Sequence, residues 1–262
     1  MPEVDVIGAT EWPVTRSSIA ADLHSLGVSS GDVIIVHSKL TALGWVLGGP
    51  QAVVEALLDV VGPDGTVTMP GHSADISEPS YWKHPPVPAE WWPTMRAEMP
   101  AFDPALTPTR DMGRVVETFR HHPRTLRSNH PTQSHLANGP AAVEITAHHP
   151  LADGFGPASP LGRLYDLDAT VVLLGVGHAN NTSLHLAEQL VAGDRVTRTR
   201  QGTAMLVDGV RQWIEYDDAD VDDSDFGAVG AAFAVTGLER TGTVGRAPTR
   251  VMPMRAVVDF AV

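Results

Sequence analysis

The chain has 262 residues, with 18 basic against 31 acidic side chains and a formal charge of −13; 43% of residues are apolar and 19% charged. With 24 glycines and 21 prolines this is a globular, loop-rich composition, and the acidic balance argues against nucleic acid or an anionic membrane as a partner, since both attract basic surface. The lack of cysteine excludes disulfides, thiolate metal sites and a cysteine nucleophile.

Met1-Pro2-Glu3-Val4-Asp5 lacks the basic stretch and apolar run of a signal peptide, so a cytoplasmic location is expected. No run reaches the ~18 to 20 apolar residues of a membrane span, the longest candidate being Gly227 to Leu238. Thr15 to Leu26 carries Ile19, Ala20, Leu23 and Leu26 at helical spacing and ends at the Gly27/Gly31 break. Asp32 to His37 is a β-branched run of the kind buried on both faces. Pro50 opens a helix over Gln51 to Val61, with Val54, Leu57, Leu58 and Val61 spaced for one face; Gly62-Pro63-Asp64-Gly65 ends it, and Thr66 to Pro70 reads as the next strand. Regular pattern then fails from Gly71 to Thr109, where eight prolines surround Trp82, Trp91 and Trp92. Disordered prolyl linkers are poor in tryptophan, so this segment reads as an ordered loop covering a site. Helices follow at Met112 to Phe119 and Ala141 to Ala147, a second buried strand at Ala169 to Gly175, and a helix over Asn180 to Gln189 behind the cap-competent Asn180, Asn181, Thr182 and Ser183. The final third is mixed, with an acidic stretch from Glu215 to Asp225 that reads as solvated surface.

Several patterns could carry chemistry. Gly175-Val176-Gly177-His178-Ala179-Asn180 imitates a dinucleotide fingerprint, with Asp194 nineteen residues on, but Asn180 stands where the third glycine belongs. P-loop, nucleophile-elbow and zinc-protease motifs are absent from the sequence. Twelve histidines invite a metal reading, yet their spacings form no recognisable ligand set. Val36 to Gly49 suits either a phosphate-binding turn, through Ser38, Lys39, Thr41, Gly44, Gly48 and Gly49, or a plain strand-to-helix loop. His185 and Glu188 are three apart on the helix that follows the second buried strand. There the carboxylate can orient one imidazole nitrogen while the other faces a substrate, which makes a general base.

Read in order, several motifs resemble successive motifs of the aminoglycoside 3-N-acetyltransferase family. They are Val36-His37-Ser38-Lys39-Leu40 with Gly48-Gly49-Pro50, Pro85-Pro86-Val87-Pro88 with Trp91-Trp92, Phe102-Asp103-Pro104 with Thr107-Pro108-Thr109 and Met112-Gly113, Arg127-Ser128-Asn129-His130-Pro131, Gly154-Phe155-Gly156 with Ser159-Pro160-Leu161, and Gly175-Val176-Gly177-His178 with Asn181 to Glu188. The resemblance spans about residues 30 to 190. It implies acetyl-CoA as cosubstrate, no metal, and a small polycationic amine as acceptor, acetylated at the 3-amino group of the deoxystreptamine ring. It also implies an α/β fold with a central, mostly antiparallel or mixed sheet flanked by helices and a smaller, loop-rich lobe. Residues 1–262 would form one acetyltransferase domain, of one body or two lobes, without a legible boundary. Carried over, His185 is the base and Glu188 its orienting partner, Thr182 lies by the thioester, and His37, Ser38, Lys39, Leu40, Thr41 and Gly44 face the CoA pyrophosphate. Lys39 departs from the serine expected at its position. Acidic residues including Asp75 and Asp217, with the apolar face of Trp82, suit a cationic acceptor. A non-aminoglycoside amine, simple sequestration of a cationic drug, and metal-dependent hydrolysis stand beside this reading.

Overall fold

The computed structural model describes residues 3–262; Met1 and Pro2 of the N-terminal reading, and the side chains of Glu3 and Asp194, lie outside the described residues. A short helix α1 (Glu3–Gly8) precedes α2 (Arg16–Ser25), the first of the expected helices. Thr15 caps α2 in a reciprocal box with Ser18, and Ile19 and Leu23 form its fully buried face. The strand, helix, strand unit read from the sequence is β1 (Val33–Ser38), α3 (Gly49–Val61) and β2 (Thr66–Pro70). Pro50 sits in the first turn of α3, where its missing N–H interrupts no bond, and Gly62 ends the helix at φ 66°.

The chain continues through α4 (Trp92–Glu98), α5 (Gly113–Arg120), β3 (Leu126–Arg127), β4 (His135–Asn138), α6 (Ala142–Thr146), α7 (Pro160–Asp166), β5 (Thr170–Leu174) and α8 (Ser183–Ala192). The last third, left unassigned by the sequence, folds as β6 (Arg198–Val207), β7 (Val210–Ala219), α9 (Phe226–Ala234), β8 (Arg240–Val244), β9 (Ala247–Pro253) and α10 (Met254–Ala261). Seven strands form one sheet in the order β3-β4-β2-β1-β5-β9-β8. β1 pairs in parallel with β2 and β5, and the other pairings are antiparallel, so the sheet is mixed and mostly antiparallel.

Alternation along β1 and β5 divides the core into two layers. Ile34, Val36, Val172 and Leu174 face one way, into a layer completed by α2, α3 and α5; Ile35, Val171 and Leu173 face the other, towards α6 to α10. Strands covered on both faces must be apolar throughout, which is why these two were visible in the sequence.

Residues 71 to 112 cross the end of the sheet as an ordered segment of 3-10 turns around α4. They pack on the long β6–β7 hairpin through a separate small cluster in which Ile76, Met99, Phe102 and Ala204 are buried against Trp82 and Trp213. Thr203 Oγ1 donates to the Ile76 carbonyl at 2.6 Å, and the Phe102 amide to the Ala204 carbonyl at 2.8 Å. The acidic stretch needs a correction here. Glu215 to Ala219 are strand, and Asp218 is buried at 5% exposure, while the other acidic side chains of the stretch are exposed.

Candidate active site

The parallel strands β2, β1 and β5 end together. The connection leaving β1 runs to α3 on one face and the one leaving β5 runs to α8 on the other, so the chain parts at the carboxyl end of the β1–β5 pair. Such a switch point opens a crevice in an α/β sheet. A cavity of about 230 Å³ lies there, walled by His37 and Ser38 at the end of β1, His72 after β2, and Asn181, Thr182 and His185 at the start of α8.

His185 Nδ1 is 2.6 Å from Glu188 Oε2, and the second oxygen of Glu188 accepts from the Asp222 amide at 3.0 Å. An ionised carboxylate only accepts, so Nδ1 carries a proton, and in the neutral ring the lone pair is on Nε2. The His185 ring lies face to face with Phe155, centroids 4.7 Å apart and planes 14° apart, with Phe226 tilted against it, also at 4.7 Å. These contacts restrict the imidazole to one plane while the side chain stays 13% exposed.

Polar groups without protein partners surround the same space. His37 Nε2, Ser38 Oγ, His72 Nε2 and Asn181 Nδ2 are all buried and unpaired. Asn181 spends its carbonyl on the Ser183 amide at 3.2 Å, which leaves its NH2 as the free end. Burial drives the nearby histidines towards the neutral form: His37 falls to about 3, with His135 and His185 adding to the effect, and His130 and His135 fall to about 4. His72 and His149 are lowered by the same desolvation. His37 and His72, which line the cavity, are therefore held in the neutral form.

A family model for aminoglycoside 3-N-acetyltransferase matches residues 35–262. The chain belongs to that family. The aminoglycoside N(3')-acetyltransferase-like protein YokD of Bacillus subtilis, SPbeta prophage-derived, is 41% identical over 98% of this chain and 94% of its own; its crystal structure superimposes with a TM-score of 0.93 over the same shares. Aminoglycoside N(3)-acetyltransferase VII of Streptomyces paromomycinus is 38% identical over 100% of this chain and 95% of its own. The structure of AAC-IIIb as a binary complex with CoASH matches with a TM-score of 0.84 at 33% identity, over 96% of each chain.

Within this acetyltransferase family fold, His37, Ser38, Thr182 and His185 meet at one cavity, with Glu188 behind His185. Lys39, Leu40, Thr41 and Gly44 lie in the turn after β1, outside the cavity wall; Leu40 to Ala42 form a 3-10 turn, and Lys39 and Thr41 are exposed. Asp75 and Trp82 line a neighbouring cavity of about 410 Å³ that shares Asp111 with the first. Asp217 is on the exposed face of the hairpin, 3.4 Å from Arg200. Gly175, the first glycine of the dinucleotide-like motif, turns at φ 73° and would place a Cβ 2.6 Å from that of Ala42, so the glycine is required by close packing of two loops. Among the described residues, no three histidine or acidic side chains converge in a metal-holding arrangement. Sequence reasoning missed Asn181, Phe226 and the Asp222 amide as parts of the site. Asn181 and Phe155 lay inside quoted motifs, but the Asp222 contact crosses 34 residues and has no local signal.

Proposed function

We propose that this enzyme transfers the acetyl group of acetyl-CoA directly to the 3-amino group of an aminoglycoside's deoxystreptamine ring, with His185 as general base and Glu188 as its orienting partner. The observation that carries this reading is the 2.6 Å His185–Glu188 hydrogen bond, which leaves Nε2 as a proton acceptor at the cavity. The neutral amine nitrogen attacks the thioester carbonyl, and as the N–C bond forms His185 Nε2 takes the one proton that nitrogen must lose. The C–S bond breaks as the tetrahedral intermediate collapses, and the CoA thiolate takes up the proton held by the imidazolium. Glu188 stabilises that imidazolium, as the acid of a Ser-His-Asp triad does. No covalent acyl-enzyme is needed.

The site fits acetyl-CoA. Buried Ser38 Oγ and Asn181 Nδ2 offer unmet donors along the cavity, Thr182 adds a hydroxyl beside the thioester, and Lys39 and Thr41 stand exposed on the adjoining turn for the pyrophosphate. Asp111 and Asp223 at the cavity wall suit an ammonium-bearing acceptor.

One observation favours a second reading, acetylation of a non-aminoglycoside amine: Arg110 pairs with both Asp75 and Asp111, which neutralises part of the acidic rim. Release of free CoA thiol, measured with gentamicin, kanamycin, neomycin and apramycin as acceptors, separates the two. Release with any of them supports the antibiotic acceptor; acetyl-CoA binding without release for all four moves the acceptor to another amine.

A further inference from the structure

Two of the three neighbours that hold the His185–Glu188 pair, Phe155 and the Asp222 amide, are themselves held by the β6–β7 hairpin. On one side, Asp218 of β7 reaches the loop that carries Phe155. Its Oδ1 accepts from the amides of Asp153 at 3.1 Å and Gly154 at 3.4 Å, and from that of Ala219 at 2.9 Å; its Oδ2 accepts from Gln133 Nε2 at 3.0 Å. Arg198 of β6 adds an ion pair to the Asp153 side chain at 2.7 Å. On the other side, the chain leaving β7 brings the Asp222 amide to Glu188.

The loop so held is strained. Asp153 has φ 60°, in the left-handed region that a non-glycine residue occupies only when its surroundings insist. Gly154 passes so close to its neighbours that a Cβ there would fall 1.8 Å from Gln133 Oε1, and its carbonyl accepts from His149 Nε2 at 2.6 Å. The next residue is Phe155, whose ring lies flat on His185. A carboxylate is also an expensive group to bury, and burial pushes Asp218 up to about 6 in spite of its four donors. An isolated hairpin contact does not call for such a group, whereas two adjacent amides in a strained turn do.

We propose that Asp218 is a positioning residue for the catalytic imidazole: by gripping the 153–154 backbone it holds Phe155 face to face with His185, while the same hairpin's exit holds Glu188. The proposal rests on the reading of His185 as the base. Asp218 touches no reacting atom, and its effect passes through Phe155.

The test uses the full-length enzyme with an acceptor that the wild type acetylates. Asp218→Ala and Phe155→Leu should each lower kcat roughly tenfold or more, since small displacements of a catalytic group are that costly, with KM for acetyl-CoA within about threefold of wild type. The double variant should fall no further than the worse single, because the two act through one contact. Asp218→Asn can accept the same amide hydrogens and turn its NH2 towards Gln133 Oε1, and should recover most of kcat. A readout independent of any acceptor is the downfield proton resonance of the short His185 Nδ1–H bond, assigned by its loss in His185→Ala; it should shift in Asp218→Ala and stay in Asp218→Asn. Wild-type kcat in Phe155→Leu, which keeps the assignment testable even where Asp218→Ala does not fold, would overturn it, as would a double-variant loss equal to the product of the singles. Turnover surviving in His185→Ala would instead strike the function proposed above.

Discussion

At His185 the proton inventory is set by its partner. Glu188 accepts at 2.6 Å, which keeps a proton on Nδ1 and leaves Nε2 as the nitrogen that can take one, and removing either member has a distinct signature. His185→Ala should cut kcat by the ~10² to 10⁴ of a lost general base while acetyl-CoA binding, followed by calorimetry, stays close to wild type. Glu188→Gln keeps the size but removes the negative charge beside the imidazole. The imidazolium is then less favoured, so activity should drop and the acidic limb of the pH–rate profile should move to lower pH; an unmoved limb would deny Glu188 its orienting role. The pair itself was legible from its spacing, because i and i+3 share a helix face. What turns the spacing into a site was not legible, since Phe155, Phe226 and the Asp222 amide arrive from elements 30 to 41 residues distant.

Among the elements, β1 and β5 were readable because a covered parallel strand is a nearly continuous apolar run, α3 because it is bracketed by Pro50 and Gly62, and β2 because it follows the Gly62 to Gly65 turn that ends α3. Helices α5 and α6 begin within a residue or so of where the pattern placed them. The helix expected from Asn180 starts at Ser183, because His178 to Asn180 first make a tight 3-10 turn in which the Asn181 amide bonds to the His178 carbonyl at 2.8 Å. The β6–β7 hairpin was hidden by its composition: Arg198, Arg200, Glu215 and Asp217 alternate with half-buried Thr199 and Gln201 and with buried Tyr216 and Asp218, so the inward face is itself polar and shows no apolar period of two. The order of the 71 to 112 segment was legible from its tryptophans, but its turns and α4 were not, since they are held by contact with that hairpin and have no period of their own. Phe102→Ala should accordingly destabilise this packing by about 3–5 kcal/mol, the usual cost of emptying an aromatic site. Limited proteolysis should then cut between residues 79 and 91 faster than in the wild type, whereas unchanged cleavage would mean that the small cluster does not hold the segment.

For the molecule as a whole, two charge effects set the working range. Five histidines, His37, His72, His130, His135 and His149, are buried and lowered, to about 3 or 4 for three of them. Unfolding lets each bind a proton near its ordinary value of about 6.5, so the stability they allow is complete above that pH and is lost as the pH falls from there towards 4. Asp218 acts the opposite way: raised to about 6, it favours the fold at low pH and loses that contribution as the pH rises through about 6. Each proton is worth roughly 1.4 kcal/mol per pH unit, so five outweigh one. Tm should therefore fall steeply between pH 6.5 and 5, as circular dichroism would follow, and a flat Tm over that range would contradict the burial of these rings. The net charge of −13 should attract a polycationic acceptor at long range, so its KM should rise with ionic strength as the field is screened.

Base-assisted acetyl transfer at His185 is tested by the rate of CoA-thiol release from acetyl-CoA with an aminoglycoside acceptor, wild type beside His185→Ala. The enzyme has no cysteine to react with the thiol reagent. Acceptor-dependent release by the wild type and a loss of at least ~10² in the variant, with acetyl-CoA still bound, are expected. Equal release by both proteins would contradict base assistance by His185.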